Sequence, residues 1–265
     1  MRVISDPQAF ASAAAYYAHY RPQYPTALFT LLADHFQLTD ARTLDLGCGP
    51  GTIALPLAEK AGEVYAVDPA AEMLDQGRHL ATERGVHNVH WVQGDSTVLR
   101  TLGLPPLDLV VMAKSFHWMN RDQVLTDLDA LTTQQAGVVI VSAGPPGTTP
   151  LPAWAHVIED VRSAYLGPTR RAGRGVYPQP HEPYHDTLAR SPFSAVTKTV
   201  WNEPVRRTLD DLVGLQFSNS YTAPAMLGEH RKAFEEDLRQ ALLAHDPAGR
   251  YEETIRTEAL LAVRP

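Results

Sequence analysis

A short apolar run breaks into three alternate glycines in Thr43-Leu44-Asp45-Leu46-Gly47-Cys48-Gly49-Pro50-Gly51-Thr52. This order predicts a buried strand, a tight turn and the start of a helix. Glycine has no Cβ, so a ligand can approach the backbone of the turn closely. The first turn of a helix also presents free N–H groups. We therefore expect a nucleoside-bearing ligand to bind at this turn.

Composition limits the class of protein and of partner. The chain has 265 residues, 44% of them apolar, which is enough for one large domain with a full core. Its formal net charge of −7 argues against a surface that grips nucleic acid or an anionic membrane, because both need basic surface. A local basic pocket remains compatible with this charge.

Cellular location is inferred from the cysteine content and from two missing patterns. Cys48 is the single cysteine of the chain, so no intrachain disulfide can form, and we expect a small buried residue rather than a reactive thiol. Neither a signal peptide nor an apolar run of about 20 residues is present. These features predict a cytoplasmic protein.

Strand and helix patterns alternate from residue 42 to residue 143, which predicts a parallel sheet with helices on both faces. The predicted strands are Thr43–Leu46, Glu63–Val67, Val89–Gln93, Leu107–Met112 and Gly137–Ser142. The predicted helices cover 52–61, 71–84, 96–101 and 121–133.

Composition shifts divide a single domain into four parts. Residues 1–35 are predicted to form two short helices, and residues 36–144 form the α/β core. Residues 145–195, rich in proline, histidine and arginine, are an inserted cap with a helix near 152–165. Residues 196–265 complete the sheet with two predicted strands, one near Ala195–Trp201 and one near Tyr251–Val263, with helices near 208–216 and 228–244 between them.

Two aspartates follow the next two predicted strands. Asp68 ends the second strand and Asp95 follows the third. In an open α/β sheet, ligands bind beyond the carboxyl ends of the strands. An acidic side chain about 20 residues beyond the first glycine can accept both hydrogen bonds of a ribose diol, and an acid after the third strand can accept one from an adenine amine.

The spacing of the turn distinguishes between two nucleoside ligands. A dinucleotide site requires Gly-x-Gly-x-x-Gly, with the helix start facing a pyrophosphate. Here the third glycine comes one residue early, at Gly51, and Thr52 takes its place. Asp45, just before the turn, would repel a pyrophosphate and favour an ammonium group. The ligand implied is a nucleoside with a zwitterionic amino-acid tail.

Together these motifs resemble those of class I S-adenosylmethionine-dependent methyltransferases over roughly residues 10–145. Tyr20–Pro25 and Ser115–Trp118 are similar to a small-molecule branch of that superfamily that includes trans-aconitate-type enzymes. The resemblance implies a Rossmann-like, doubly wound seven-stranded mixed sheet of order 3-2-1-4-5-7-6 with strand 7 antiparallel. Residues 1–35 then form a helical flap over S-adenosyl-L-methionine, and S-adenosyl-L-homocysteine is the product.

The resemblance also implies the residues that bind the cofactor. The glycines contact the methionine moiety, Asp45 supports its ammonium, and Asp68 holds the ribose hydroxyls. Pro69 and Met73 flank the adenine, Asp95 accepts from its amine, and Arg21 either pairs with the methionine carboxylate or is a surface residue. The complete set is Tyr20, Arg21, Asp45, Gly47, Gly49, Gly51, Asp68, Pro69, Met73, Asp95, Ser96 and Lys114.

The methyl acceptor is expected beyond the fourth strand, where the family's residues face the transferred methyl. His117 is the candidate for an acceptor-side base or orienting group, since a neutral imidazole can accept a proton near pH 7. A structural role beneath the cofactor is the alternative for His117, and Phe116 and Trp118 are expected to supply apolar wall. The acceptor is an oxygen, nitrogen or carboxylate of a metabolite.

Two patterns in the cap are open to a functional and a structural interpretation. Arg170-Arg171-x-x-Arg174 is suited to an anion but is also typical of a solvated loop. His181 and His185 have the spacing of a helical metal pair. Pro183 lies between them and the sequence offers no obvious third ligand, so we expect no metal.

Three alternatives to a small-molecule methyltransferase remain. A nicotinamide oxidoreductase uses a similar glycine turn but is disfavoured by Gly51 and Asp45. A nucleic-acid methyltransferase needs basic surface or a base-flipping motif, which this sequence lacks. A cofactor-binding protein of the same fold with non-methyl chemistry or a regulatory role would be distinguished by its failure to release S-adenosylhomocysteine.

Overall fold

The computed structural model describes residues 8–145, 150–172, 175–176 and 182–265. Seven strands form one sheet in the order β3-β2-β1-β4-β5-β9-β8, which confirms the predicted order because β8 and β9 are its sixth and seventh strands along the chain. The strands are β1 (Arg42–Leu46), β2 (Glu63–Asp68), β3 (Val89–Gln93), β4 (Leu107–Ala113), β5 (Thr132–Gly144), β8 (Ala195–Thr208) and β9 (Arg250–Val263). Two further strands, β6 (Arg171–Ala172) and β7 (Gly175–Val176), form a separate small ribbon.

The sheet is parallel from β3 to β5 and antiparallel at β9, as predicted. β8 and β9 pair over their whole length, whereas β5 pairs with β9 only as far as Gly144 opposite Arg256. The β8–β9 ribbon therefore extends beyond the sheet, with 203–208 opposite 250–255. This overhang lies on the side of the molecule where the parallel strands end.

Helices cover both faces of the sheet, because alternate side chains of each buried strand point to opposite faces. Leu44 and Val110 pack on one face, and Val64 and Val111 on the other. The helices are α1 (Gln8–Ala11), α2 (Ala14–Tyr20), α3 (Thr26–Phe36), α4 (Ala54–Ala58), α5 (Ala71–Arg84), α6 (Arg121–Leu131), α7 (Ala153–Leu166), α8 (Tyr184–Ala189), α9 (Leu209–Phe217), α10 (Pro224–Leu227) and α11 (Arg231–His245). In the parts of the chain described, no helix has the length and apolar character needed to cross a membrane.

The N-terminal segment docks on the C-terminal half of the chain. The ring of Tyr20 lies where a Cβ on Gly214 of α9 would be, so only glycine permits this contact. The ring of Tyr16 lies 5.2 Å from that of Phe217, and Ser12 accepts a hydrogen bond from the amide of Ala225. Residues far apart in sequence thus enclose one side of the strand ends.

Several predicted elements differ from those observed. Residues 96–101 contain only a 3-10 turn, Leu99–Thr101, in place of the predicted helix. The helix predicted over 121–133 ends at Leu131, because β5 begins at Thr132 opposite Leu107. The sixth strand continues to Thr208, since pairing with β9 stabilises residues that lack a strand pattern of their own. Of the predicted N-terminal helices, residues 1–7 lie outside the described residues, and the rest form three helices.

Candidate active site

The glycine turn joins β1 to α4 with a left-handed backbone. Gly47 has a φ of +76° and Gly49 a φ of +52°, values that L side chains rarely adopt. A Cβ on Gly47 would overlap the side chain of Ser115, whose hydroxyl donates to the carbonyl of Leu46 at 2.6 Å. A Cβ on Gly49 would have only Tyr17 within 4 Å, so it would fill the space between them. A side chain at either glycine would therefore fill space beside the turn. We call the turn at Gly47 and Gly49 the cradle.

Asp68 at the end of β2 binds this turn directly. Its Oδ2 accepts from the amide of Gly49 at 2.8 Å, and its Oδ1 accepts from the amide of Ala70 at 2.9 Å. Burial raises the pKa of Asp68, and the two amide hydrogen bonds oppose that rise. A carboxylate has about four acceptor positions, so capacity for a ligand diol remains.

A cavity opens at the carboxyl ends of β1, β2, β3 and β4. Its lining includes Gly47, Gly49, Asp68, Pro69, Met73, Asp95, Ser96 and Lys114, all named from sequence. Asp95 is held by Thr97, whose amide and hydroxyl both donate to Oδ1, at 2.7 and 2.6 Å. We call this space the cofactor cavity.

Four residues predicted to bind the cofactor lie outside the cofactor cavity, and one of them, Arg21, lines a neighbouring cavity described below. Asp45 is buried beneath the turn, where its Oδ2 accepts from the amide of Ala54 at 3.0 Å and burial raises its pKa to about 8. Gly51 lies against the ring of Trp91, behind the turn. Tyr20 packs on Gly214. Their roles towards a cofactor stay predictions, and any effect of Asp45 or Gly51 is exerted from behind the glycines.

Sequence reasoning missed several wall residues of the cofactor cavity, Phe10 and Tyr17 above all. The ring of Phe10 meets that of Trp118 edge-on at 5.9 Å, so the first helix covers the cavity. The seven-residue spacing of Phe10 and Tyr17 was the available signal, since such a spacing is typical of one helix face. Phe116, expected as wall, is instead 1% exposed in the core, and Trp118 does line the cavity.

A second and larger space, the acceptor cavity, adjoins the first and has a volume of about 540 Å³. Its walls come from the β8–β9 overhang, from α7 and from the loop after α9. The two cavities share Phe10, Tyr17, Lys114 and Trp118. A ligand group bound in one cavity therefore lies next to the contents of the other.

His117 and Arg21 both line the acceptor cavity. Burial, with Lys114 and Arg121 nearby, lowers the pKa of His117 to about 4, so its imidazole is neutral at pH 7. The guanidinium of Arg21 donates to Asn219 Oδ1 at 2.6 Å and lies 4.9 Å from the centre of the Tyr17 ring. Arg21 thus ties the N-terminal segment to the loop after α9 at the cavity wall.

The cap residues named from sequence are separated in the structure. Arg170 lines the acceptor cavity and binds Glu159 at 2.8 Å, whereas Arg171 is exposed in β6. Arg174 and His181 lie outside the described residues. His185 is exposed beside Asp186, and the described ranges contain no group of three or more side chains suited to a metal.

Comparison with known proteins finds a family match within the core. Residues 43–134 match the methyltransferase domain family. Aklanonic acid methyltransferase DauC of Streptomyces sp. strain C5 is 34% identical over 110 residues, which are 39% of this chain and 49% of DauC. The 23S rRNA (uracil(1939)-C(5))-methyltransferase RlmD of Pseudomonas putida is 46% identical over 56 residues, which are 21% of this chain and 12% of RlmD. The chain thus spans about half of DauC and far less of RlmD.

Solved structures share the whole fold at low identity. A putative type II methyltransferase from Anaeromyxobacter dehalogenans has a TM-score of 0.61 at 23% identity and covers 92% of this chain and 98% of its own. A methyltransferase from Thiobacillus denitrificans, solved with S-adenosyl-L-homocysteine, has a TM-score of 0.55 at 13% identity. It covers 99% of this chain and 100% of its own. These likenesses show that the chain has the same fold as these two solved structures, and that residues 43–134 are similar to the methyltransferase domain family.

Proposed function

We propose that the protein binds S-adenosylmethionine in the cofactor cavity and transfers its methyl group to a small-molecule metabolite in the acceptor cavity. The observation that carries this proposal is the wall that the two cavities share, formed by Phe10, Tyr17, Lys114 and Trp118. Transfer in one displacement step requires donor and acceptor in contact and in line. Two adjoining cavities with a shared wall would hold donor and acceptor side by side.

The residues of the cofactor cavity fit the proposed ligand. The cradle at Gly47 and Gly49 suits the methionine moiety, and Asp68 has acceptor capacity for the ribose diol. Asp95 would accept a hydrogen bond from the adenine amine, with Ser96 adjacent. Pro69 and Met73 would flank the adenine ring. Arg21, at the edge of the acceptor cavity, would pair with the methionine carboxylate. Asp45 and Gly51 would support the turn from behind.

Bound S-adenosylmethionine supplies an already activated methyl group. What remains for the chain is to position the acceptor and to exclude water. The rings of Phe10, Tyr17 and Trp118 cover the junction of the cavities. We propose that His117, neutral at pH 7, orients the acceptor by a hydrogen bond from the wall of its cavity.

A metabolite suits the acceptor cavity better than a nucleic acid does. The cavity is bounded by α7 of the cap through Trp154, Ile158 and Arg162, and the net charge of the chain is −7. We therefore propose that residues 145–195 act as a substrate-side cap on the core, which is formed by residues 36–144. In the same domain, residues 1–35 would act as a flap over the cofactor, and residues 196–265 complete the sheet. The name of DauC, a methyltransferase of aklanonic acid, supports a small-molecule acceptor, and a buried single cysteine supports a cytoplasmic location.

The test is transfer of labelled methyl from S-adenosylmethionine into fractionated metabolite extract, with total RNA as a parallel acceptor. We expect label in one or more small-molecule fractions and none in RNA. The Asp68→Ala variant at the same concentration is the matched control and should transfer little. Label in RNA alone would contradict the small-molecule proposal. Binding of S-adenosylhomocysteine without transfer to any acceptor would favour non-methyl chemistry or a regulatory role.

A further inference from the structure

Lys114 occupies the boundary between the two cavities and lines both. It directly follows β4, where its amide donates to the carbonyl of Val141 in β5 at 2.9 Å. The end of the sheet thus fixes where its side chain begins. His117, by contrast, lines the acceptor cavity and not the cofactor cavity.

The backbone of Lys114 is strained. Its φ is +53°, and the described part of the chain has one other non-glycine residue with positive φ, Gln37, at the end of α3. A side chain larger than glycine adopts this region at a cost, and such strain concentrates at functional sites. The side chain that leaves this strained backbone lines both cavities.

The surroundings of Lys114 favour the uncharged form of its amine. Among the residues described, no carboxylate forms an ion pair with Lys114. Burial and the positive charge of Arg21 lower its pKa to about 7, and Glu253 opposes that shift. Glu253 is itself bound to Arg207, which reduces its effect. Tyr17 at the boundary and His117 in the wall of the acceptor cavity are both neutral at pH 7.

We propose that Lys114 is the catalytic base of the transfer, accepting on its uncharged Nζ the proton of an acceptor hydroxyl or amine. The acceptor is then a protic O–H or N–H group, not a carboxylate, which needs no base. This inference rests on the proposed function. In the balanced step the acceptor lone pair forms the new bond to the methyl carbon, the carbon–sulfur electrons stay on sulfur, and the acceptor proton moves to Nζ.

Lys114 is better suited to this role than His117. A general base works best when its pKa is near the working pH, because it is then both unprotonated and able to hold a proton. The pKa of about 7 at Lys114 meets that condition, whereas the pKa of about 4 at His117 makes its imidazole a weak base. Lys114 also reaches the boundary where the methyl group is transferred.

The chain has four lysines, which makes the amine of Lys114 measurable without an identified acceptor. The others, Lys60, Lys198 and Lys232, serve as internal controls. We would label the wild-type protein with trace acetic anhydride from pH 5 to pH 11 and read each lysine by mass spectrometry. Lys114 should label with a midpoint near pH 7, well below the ordinary lysine pKa of 10.5, and S-adenosylhomocysteine should protect it.

Two further experiments test what lowers the pKa of Lys114 and whether Lys114 acts in the transfer. The Arg21→Gln variant should raise the labelling midpoint of Lys114, whereas Arg206→Gln, at an exposed ion pair on β8, should leave it unchanged. In any fraction that supports methyl transfer, Lys114→Arg and Lys114→Gln should lose about 100-fold in rate and lose the limb of the pH profile near pH 7. Calorimetric titration of both variants with S-adenosylhomocysteine separates any loss of cofactor binding from the loss of the transfer step.

Two results would overturn the inference. One is a Lys114 labelling midpoint equal to that of Lys198. The other is a Lys114→Arg variant with wild-type transfer. Failure of the proposed function is separate, since it would show as absent binding of S-adenosylhomocysteine by the wild-type protein.

Discussion

The carboxylate of Asp68 accepts a hydrogen bond from the amide of Gly49, with Oδ2 and N 2.8 Å apart. The bond ties the end of β2 to the glycine turn after β1, across neighbouring parallel strands. Asp68 thereby shapes the cradle as well as facing the cofactor cavity.

Substitution of Asp68 by alanine should weaken binding of S-adenosylhomocysteine by about 1–3 kcal/mol, roughly 5- to 150-fold, because a charged acceptor and its bond to the turn are both lost. Isothermal titration calorimetry measures the change. The matched control is Asp75→Ala, since Asp75 on α5 is 74% exposed and pairs with Arg78 at the surface. Unchanged affinity in Asp68→Ala would remove Asp68 from the ribose site.

Substitution of His117 by alanine should lower kcat/KM about 10- to 100-fold through loss of acceptor orientation. The pKa of His117 is lowered to about 4, so His117 itself should add no pH dependence between pH 5 and pH 8. The limb near pH 7 should persist in the variant. His79→Ala, at an exposed site on α5, is the control. A rate within about threefold of wild type would make His117 structural.

Asp45 should make stability depend on pH in an unusual direction. Burial raises its pKa from 3.8 to about 8, so the folded protein holds a proton that the unfolded chain releases above about pH 4. The stability of the wild type therefore falls as pH rises from about 4 to about 8. The Asp45→Asn variant lacks this loss, so its stability relative to wild type should rise by about 1–3 kcal/mol between pH 5 and pH 8. Urea unfolding at both pH values gives the difference, and an equal difference at the two would refute it.

Gly214 should be intolerant of a side chain. A Cβ there would overlap the ring of Tyr20, so Gly214→Ala should cost about 1–3 kcal/mol of unfolding free energy and loosen the N-terminal segment. Gly144→Ala is the matched control, because a Cβ on Gly144 has no atom within 4 Å. Equal stability of the two variants would show that Tyr20 moves aside without cost.

The sequence predicts the sheet well because its signals are local. Each parallel strand is a short apolar run, and Gly47, Asp68 and Asp95 mark three strand ends that meet at one edge. The same logic fails where pairing across long distance decides the outcome. Residues 202–208 of β8 form a strand because β9 supplies partners, not because they alternate in polarity.

The cofactor side of the site was therefore more predictable than the acceptor side. Gly47, Asp68 and Asp95 come from the ordered core, where motif and position coincide. The walls of the acceptor cavity come from the flap, the cap and the β8–β9 overhang, and their meeting depends on tertiary contacts such as Tyr20 on Gly214. The strained backbone of Lys114 likewise has no sequence signal.

We propose that the glycine turn and Asp68 bind S-adenosylmethionine rather than a dinucleotide. The most direct test is calorimetric titration of the wild-type protein with S-adenosylhomocysteine and, separately, with NADH. We expect one S-adenosylhomocysteine bound per chain, with affinity reduced in Asp68→Ala, and no binding of NADH. Binding of NADH without binding of S-adenosylhomocysteine would contradict it.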